Sequence, residues 1–126
     1  MVFRILVIFV LAFNLYSCSK DEIVFEPTKK KDPYLIYKEG YKAVEKNDFF
    51  FASKKFAEAE IGFGEPSLSA KSAIMSSFCL YSINFYEEAV ESLNRFLKTY
   101  PADKNAIYAH YLLSLIYFEQ IAGEKH

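Results

Sequence analysis

A repeat with a period of 37 residues restricts the fold of this chain more than any other feature. Gly40, Ser77 and Ser114 are separated by that period, and the stretches around them are similar. The matched pairs are Phe49 with Tyr86, Ala52 with Ala89, Phe56 with Leu93 and Asn47 with Asn84. A period of this length filled by helical patterns is typical of stacked helix pairs, which bury their apolar faces only against neighbouring pairs and form a solenoid.

The composition favours a folded chain and gives no sign of nucleic-acid binding. Hydrophobic residues make up 52% of the sequence and charged residues 25%, which excludes disorder over most of the length. The formal net charge is −1, whereas a nucleic-acid-binding domain normally carries a basic patch or stripe. We therefore expect one folded domain and no nucleic-acid partner.

Residues 1–17 have the pattern of a secretory signal peptide. Arg4 precedes a short apolar run from Ile5 to Phe13, and the small residue Ser17 precedes Cys18. The apolar run is shorter than the roughly 20 residues that a transmembrane helix needs. A cleaved signal peptide is the favoured interpretation, and an uncleaved membrane anchor is the alternative.

The segment Leu15-Tyr16-Ser17-Cys18 resembles the lipobox of bacterial lipoproteins, although Tyr16 stands where a small residue is usual. The resemblance implies that Cys18 becomes the first mature residue and carries acyl chains such as palmitate, so that the protein is attached to a membrane. In this resemblance, Ser19 directly after Cys18 implies that the lipoprotein is sorted to the outer membrane. Residues 18–32 contain Pro27 and lack helical periodicity, which predicts a flexible tether.

Caps and helix breakers predict five helices after the tether. Asp32 followed by Pro33 is a typical N-cap and first helical residue. Ser67 is expected to cap the third helix, and the connections 62–69 and 100–106 are expected to contain the residues that exceed a 34-residue repeat. The predicted helices begin near Pro33, Phe49, Leu68, Phe85 and Lys104 and end near Val44, Ile61, Ile83, Thr99 and Gly123.

The repeat resembles the tetratricopeptide repeat. Ala52 with Phe56, and Ala89 with Leu93, match the pattern of its second helix, and Pro101 ends the second unit. The predicted fold is all-α: a tetratricopeptide-repeat-like α-solenoid of about five helices over residues 33–126, with two repeats and the first helix of a third. At the small position of the first helix, the resemblance places Gly40, Ser77 and Ser114.

The lipobox, the tether and three further stretches together resemble the BamD family in its alphaproteobacterial form. These stretches are Tyr37–Tyr41, Tyr86–Pro101 and Ala109–Ile121. The family consists of the tetratricopeptide lipoproteins of the outer-membrane β-barrel assembly machinery. The resemblance implies a lipid-anchored scaffold on the periplasmic face of the outer membrane of a Gram-negative bacterium. Its implied partners are subunits of the barrel-assembly complex and unfolded outer-membrane protein substrates.

The number of repeats differs from that family, which has about five. We therefore expect a fragment of a longer protein or a truncated reading frame that lacks the site for the barrel-forming subunit. Two other interpretations stay open. One is a different tetratricopeptide-repeat envelope lipoprotein that scaffolds cell-wall or other periplasmic proteins, and the other is an accessory of a periplasmic enzyme.

Aromatic residues recur at the positions of the first helix of each repeat that would face a concave groove. Tyrosine combines a large apolar area with a hydroxyl group at low conformational cost, so such a groove suits extended peptides. For Phe78, Leu115 and Phe118 above all, the alternative is a role in the core between stacked helices. The candidate groove residues are Tyr34, Tyr37, Tyr41, Lys71, Ile74, Tyr81, Tyr108 and Tyr111.

The sequence contains no motif that indicates catalysis. It lacks a glycine-rich phosphate loop and a nucleophile elbow, and Glu58 with Glu60 and Glu87 with Glu88 are expected on solvent-facing helix surfaces. Cys79 lies in an apolar run and is expected to be a core residue rather than a redox or metal-binding one. We expect a protein that is not an enzyme and needs no metal or other cofactor.

Overall fold

The computed structural model describes residues 1–2, 4–5 and 30–123. The chain divides into two units, residues 1–30 and 31–126, and the following description concerns the second. The predicted signal-peptide cleavage site, Cys18 and the tether up to residue 29 lie outside the described residues. Among the helices of the described part, none combines the length and the apolar character needed to cross a bilayer.

The described part of the second unit is all-helical, which confirms the predicted fold class. Consecutive helices pack against each other, and α3 also contacts α5. This pattern of neighbour contacts is that of a helical-repeat solenoid. The five helices are α1 (Pro33–Glu45), α2 (Phe49–Gly62), α3 (Pro66–Ser82), α4 (Tyr86–Thr99) and α5 (Ala106–Gly123).

Local sequence signals explain most of the helix ends. The carboxylate of Asp32 accepts a hydrogen bond from the backbone N–H of Tyr34 at 3.0 Å, so the predicted N-cap of α1 is confirmed. Asn47 and Asn84 connect the two helices of the first and second pairs with φ angles of 59° and 61°. Asparagine enters this left-handed region at lower cost than most residues, so both predicted turns are confirmed.

Two details of the connections differ from the prediction. Helix α3 begins at Pro66, because proline suits a first helical residue whose N–H needs no partner, and Ser67 is therefore not the cap. Its hydroxyl group donates to the carboxylate of Glu65. The sequence predicts the extra residues of the first repeat in the loop before α3. They belong instead to α3 itself, which is 17 residues long. Helix α5 begins at Ala106, two residues later than expected.

The small repeat positions mark the close approach of paired helices. A Cβ atom added to Gly40 would lie 2.9 Å from Cε1 of Phe56 in α2. Ser77 is fully buried in α3, and its Oγ lies 2.6 Å from Oγ of Ser92 in α4. Ser114 is exposed and donates to the carbonyl of His110 at 2.9 Å. The predicted requirement for a small side chain is thus visible in the first two repeats.

Two hydrophobic clusters form the core, and α3 contributes to both. Cys79 of α3 packs with Ala43, Ala52 and Phe56 of the first repeat. Cys79 is completely buried, and this burial raises the pKa of its thiol to about 12, as expected for a structural cysteine. The second cluster joins the last three helices through Ala70, Ala73, Ile74, Ala89, Leu93, Phe96, Ala109, Leu112, Leu113 and Ile116.

Candidate functional site

Helix α1 has three chemically different faces because successive residues are rotated by about 100° around its axis. The core face is buried and consists of Ile36, Gly40 and Ala43. The tyrosine face consists of Tyr34, Tyr37 and Tyr41. The lysine face is exposed and contains Leu35, Lys38 and Lys42. The candidate groove residues of α1 therefore all lie on one side of the helix.

The first aromatic cluster is built around Tyr37. Its ring centroid lies 5.1 Å from that of Phe56 and 5.6 Å from that of Tyr41. The ammonium group of Lys71 lies 5.7 Å from the centroid of the Tyr37 ring, within the range of a cation–π interaction. A cavity of about 110 Å³ lies here, lined by Tyr34, Tyr37, Phe63, Leu68 and Lys71.

The hydroxyl group of Tyr37 is buried and has no hydrogen-bond partner among the described residues. Burial, followed by the neighbouring phenol of Tyr41, raises the pKa of Tyr37 to about 12. The first cluster therefore presents a neutral aromatic surface with a cation, Lys71, on one side. Such a surface can accept an apolar side chain together with a hydrogen-bond acceptor or a negative charge.

The second aromatic cluster lies where α3 meets α5 and is centred on Glu119. The hydroxyl of Tyr81 donates to Oε1 of Glu119 at 3.0 Å, and the hydroxyl of Tyr86 donates to Oε2. The hydrogen bond to Glu119 is the main cause that raises the pKa of Tyr86 to about 12. Tyr108 and Tyr111 of α5 stack with ring centroids 6.2 Å apart. This cluster thus holds a carboxylate between two tyrosine hydroxyls, and the stacked rings of Tyr108 and Tyr111 add exposed aromatic surface on α5.

The remaining groove candidates differ in accessibility. Ile74 is 5% exposed and belongs to the core, so it lies beneath the surface that the tyrosines form. Phe78 and Leu115 are partly buried against the core, as their alternative interpretation predicts. Phe118 is 70% exposed, so its interpretation as a core residue is wrong. The structure therefore brings Tyr34, Tyr37, Tyr41 and Lys71 together near the start of α3. Tyr81 lies near the end of α3 and contacts Glu119, whereas Tyr108 and Tyr111 stack with each other in the first two turns of α5.

Glu60 is buried, and its predicted place on a solvent-facing surface is wrong. The guanidinium group of Arg95 holds its carboxylate in two hydrogen bonds of 2.7 and 2.8 Å, and the hydroxyl of Tyr100 donates to it at 2.9 Å. The hydrogen bond to Glu60 raises the pKa of Arg95. The contact joins α2 to α4 over 35 residues of sequence, so no local charge pattern reveals it. Glu58, Glu87 and Glu88 are exposed as predicted.

Stacked helix pairs with small residues at their crossings define a protein of the tetratricopeptide-repeat class. The family described as "YfiO: Outer membrane lipoprotein" matches residues 29–126. The chain belongs to this family, and the resemblance to BamD noted from its sequence is confirmed. Within the described residues, no group of three or more His, Cys, Asp or Glu side chains is arranged to hold a metal ion.

Two curated relatives are similar to this chain. One is "Outer membrane protein assembly factor BamD" of Caulobacter vibrioides, which is 30% identical over 83% of this chain and 33% of its own length. The other is the protein of the same name from Rickettsia prowazekii, 29% identical over 72% of this chain and 36% of its own length. The chain thus spans about a third of the length of these relatives. No solved structure matches it.

Proposed function

We propose that this chain takes part in the assembly and insertion of β-barrel proteins in the outer membrane, as a scaffold that is not an enzyme. The observation that carries the proposal is its family membership, together with two relatives that are named assembly factors. Because the chain matches only a third of these relatives, the proposal assigns it the role of the matched portion. Its proposed partners are subunits of the barrel-assembly complex and unfolded outer-membrane proteins.

The proposal places the chain on the periplasmic face of the outer membrane, attached through acyl groups on Cys18. The lipobox resemblance and the description of the family as outer membrane lipoproteins support this attachment. Labelling cells with a palmitate analogue should mark the natural chain and leave Cys18→Ala unmarked. Equal labelling of both would contradict acylation at Cys18, and with it the boundaries 1–17 and 18–32 proposed for signal peptide and tether.

The two aromatic clusters are proposed to hold an extended segment of an unfolded barrel protein. Lys71 and Tyr81 lie near opposite ends of α3, ten residues apart, which corresponds to about 15 Å along a helix. An extended segment of about five residues spans this distance. Barrel strands alternate apolar and polar side chains and carry aromatic girdles, so such a segment can place aromatic side chains on both clusters.

The charges at the two clusters give the proposed site a direction. Lys71 provides a positive charge at the first cluster, and Glu119 provides a negative charge at the second. A bound peptide is therefore expected to place a carboxylate near Lys71 and a basic or amide group near Glu119. Reversal of both charges, Lys71→Glu with Glu119→Lys, should favour a peptide with the opposite charge order.

Peptide binding tests the site directly. A peptide with the sequence of a C-terminal barrel strand should bind the natural chain, and Tyr37→Ala with Tyr41→Ala and Tyr111→Ala should weaken binding by about tenfold or more, because exposed aromatic anchors dominate such interfaces. Tyr117→Ala is the matched control, since Tyr117 is 50% exposed on another side of α5. Unchanged affinity in a folded triple variant would contradict the groove assignment.

Crosslinking in membranes tests the wider role independently of the groove. Subunits of the barrel-assembly complex should be recovered with the natural chain, and recovery should persist in the triple tyrosine variant if other surfaces contact the complex. Recovery of cell-wall enzymes in place of these subunits would contradict the proposed function.

A further inference from the structure

The lysine face of α1 continues beyond the helix at both ends. Lys31 precedes the helix and Lys46 follows it, so that Lys31, Leu35, Lys38, Lys42 and Lys46 are separated by three or four residues. This spacing places Leu35, Lys38 and Lys42 in one row along α1. Lys46 follows the last helical residue, and Lys31, before the helix, lines a cavity together with Leu35, Lys38 and Lys42. The row points away from the core face of α1 and away from its tyrosine face, and Lys38, Lys42 and Lys46 are exposed.

The positive charges of this row exceed the negative ones. Lys31 contacts the carboxylate of Glu39, which also lies 3.5 Å from Nζ of Lys55. The carboxylate of Asp48 caps α2 by accepting from Phe51 N–H at 3.1 Å. Lys38, Lys42 and Lys46 form no ion pair with any carboxylate of the described residues. Glu45 is exposed at the border with the tyrosine face.

Apolar side chains and shallow cavities lie between these lysines. Leu35 is 54% exposed and Phe51 of α2 is 45% exposed. A cavity of about 220 Å³ is lined by Lys31, Leu35, Lys38, Glu39 and Lys42. A second cavity, of about 340 Å³, is lined by Glu39, Lys42, Ala43, Lys46, Asp48 and Phe51. The surface thus combines ammonium groups with apolar side chains, as membrane-surface helices do.

We propose that the lysine face of α1 docks onto a bilayer surface that carries anionic phospholipids. Lys38, Lys42 and Lys46 contact the phosphate groups, and Leu35 and Phe51 enter the interfacial layer. Charge complementarity and the exposed apolar side chains favour this occupant, and a chain of an outer membrane lipoprotein family acts beside a bilayer. This contact is independent of acylation, and it turns the tyrosine face of α1 away from the lipid.

Lysine acetylation on nanodiscs tests the contact in the full chain. Discs of phosphatidylcholine alone are compared with discs that contain about a third phosphatidylglycerol, a composition that creates a negative surface potential. The anionic discs should slow the acetylation of Lys38, Lys42 and Lys46 by about tenfold. The reference is the acetylation rate of three lysines that are exposed outside this face, Lys54, Lys98 and Lys104. These rates should change less than about twofold. Equal rates on both discs, or uniform slowing at all six lysines, would overturn the proposal.

A charge-reversal variant separates the contact from the membrane anchor. Anionic discs should also slow the acetylation of Lys31 in the natural chain, because Lys31 borders the same face. In the variant with K38E, K42E and K46E, they should no longer slow the acetylation of Lys31. The matched control with K54E, K98E and K104E should keep the slowing at Lys31. Circular dichroism checks that both variants stay helical. If inorganic phosphate at the same concentration slows the natural chain as much as anionic discs do, the face is a free-phosphate site and the proposal is wrong.

Discussion

Gly40 of α1 lies directly against the ring of Phe56 in α2. A Cβ atom at Gly40 would lie within 2.9 to 3.1 Å of three carbons of that ring. Phe56 is completely buried, so the ring cannot move aside without disturbing the close-packed core of the first repeat. A small residue is therefore needed at this repeat position because the ring of Phe56 fills the space, and not because the backbone needs the flexibility of glycine.

Gly40→Leu should lower the free energy of unfolding by about 3 kcal/mol, because the added side chain overpacks a core that cannot expand. Gly64→Leu is the matched control, since a Cβ at Gly64 meets nothing within 4 Å, and it should change stability by less than about 0.5 kcal/mol. Chemical denaturation followed by circular dichroism measures both. Similar denaturation midpoints for the two variants would show that the ring of Phe56 can move and make room for a larger side chain.

Arg95→Met should destabilise the chain by about 2 kcal/mol, because it leaves the buried carboxylate of Glu60 with only the hydroxyl of Tyr100 as a partner. The value is below that for a fully buried pair because the side chain of Arg95 is 48% exposed. Glu58→Gln removes an exposed ion pair with Lys55 and should leave the denaturant midpoint almost unchanged, because exposed ion pairs contribute little to stability. Equal denaturant midpoints for Arg95→Met and the natural chain would contradict a stabilising role for the contact between Arg95 and Glu60.

Glu119→Gln should lower the pKa of Tyr86 from about 12 towards its ordinary value of 10.0. A raised pKa means that the fold favours the neutral phenol, so the stabilisation is complete below about pH 10 and is lost as the pH rises towards 12. The loss of stability between about pH 10 and 12 should be smaller in Glu119→Gln than in the natural chain. Tyrosinate absorbance titrations measure the pKa, and Tyr86→Phe identifies which part of the signal belongs to Tyr86. An unchanged titration in Glu119→Gln would contradict the role of the Glu119 carboxylate in raising the pKa of Tyr86.

Cys79 should be unreactive towards a thiol reagent at neutral pH in the folded chain, because it is buried and its pKa is raised to about 12. The Cys18→Ser variant removes the other thiol, so that all reaction reports on Cys79. Addition of denaturant should restore the reactivity of an ordinary cysteine. Rapid reaction without denaturant would show that the contact of α3 with the first repeat opens in the native state.

The helices of this fold are predictable because their ends depend on neighbouring residues. Asp32 with Pro33 starts α1, and Asn47 and Asn84 form the turns between paired helices, each through its own conformational preference. The small positions are predictable for a similar reason, since the period places Gly40 and Ser77 at successive crossings. The same periodicity predicts the candidate tyrosines, because it assigns a face to each residue of a helix.

Contacts between distant residues are the part that the sequence does not reveal. Glu60 and Arg95 are separated by 35 residues, and Glu119 meets Tyr81 across 38. Such pairs depend on how neighbouring repeats stack, which helical periodicity does not determine. Pro66 shows a similar limit on a smaller scale, because a proline agrees both with a loop residue before a helix and with the first residue of α3.

The three faces of α1 make its length as critical as its composition. A substitution alters one face, whereas a single inserted or deleted residue rotates everything after it by about 100°. Such a change before Gly40 would turn Tyr41 away from Tyr37, bring a lysine towards the core and move Gly40 away from the ring of Phe56. Evolution can therefore vary the side chains of this helix one at a time, but it can change the number of residues only by whole turns.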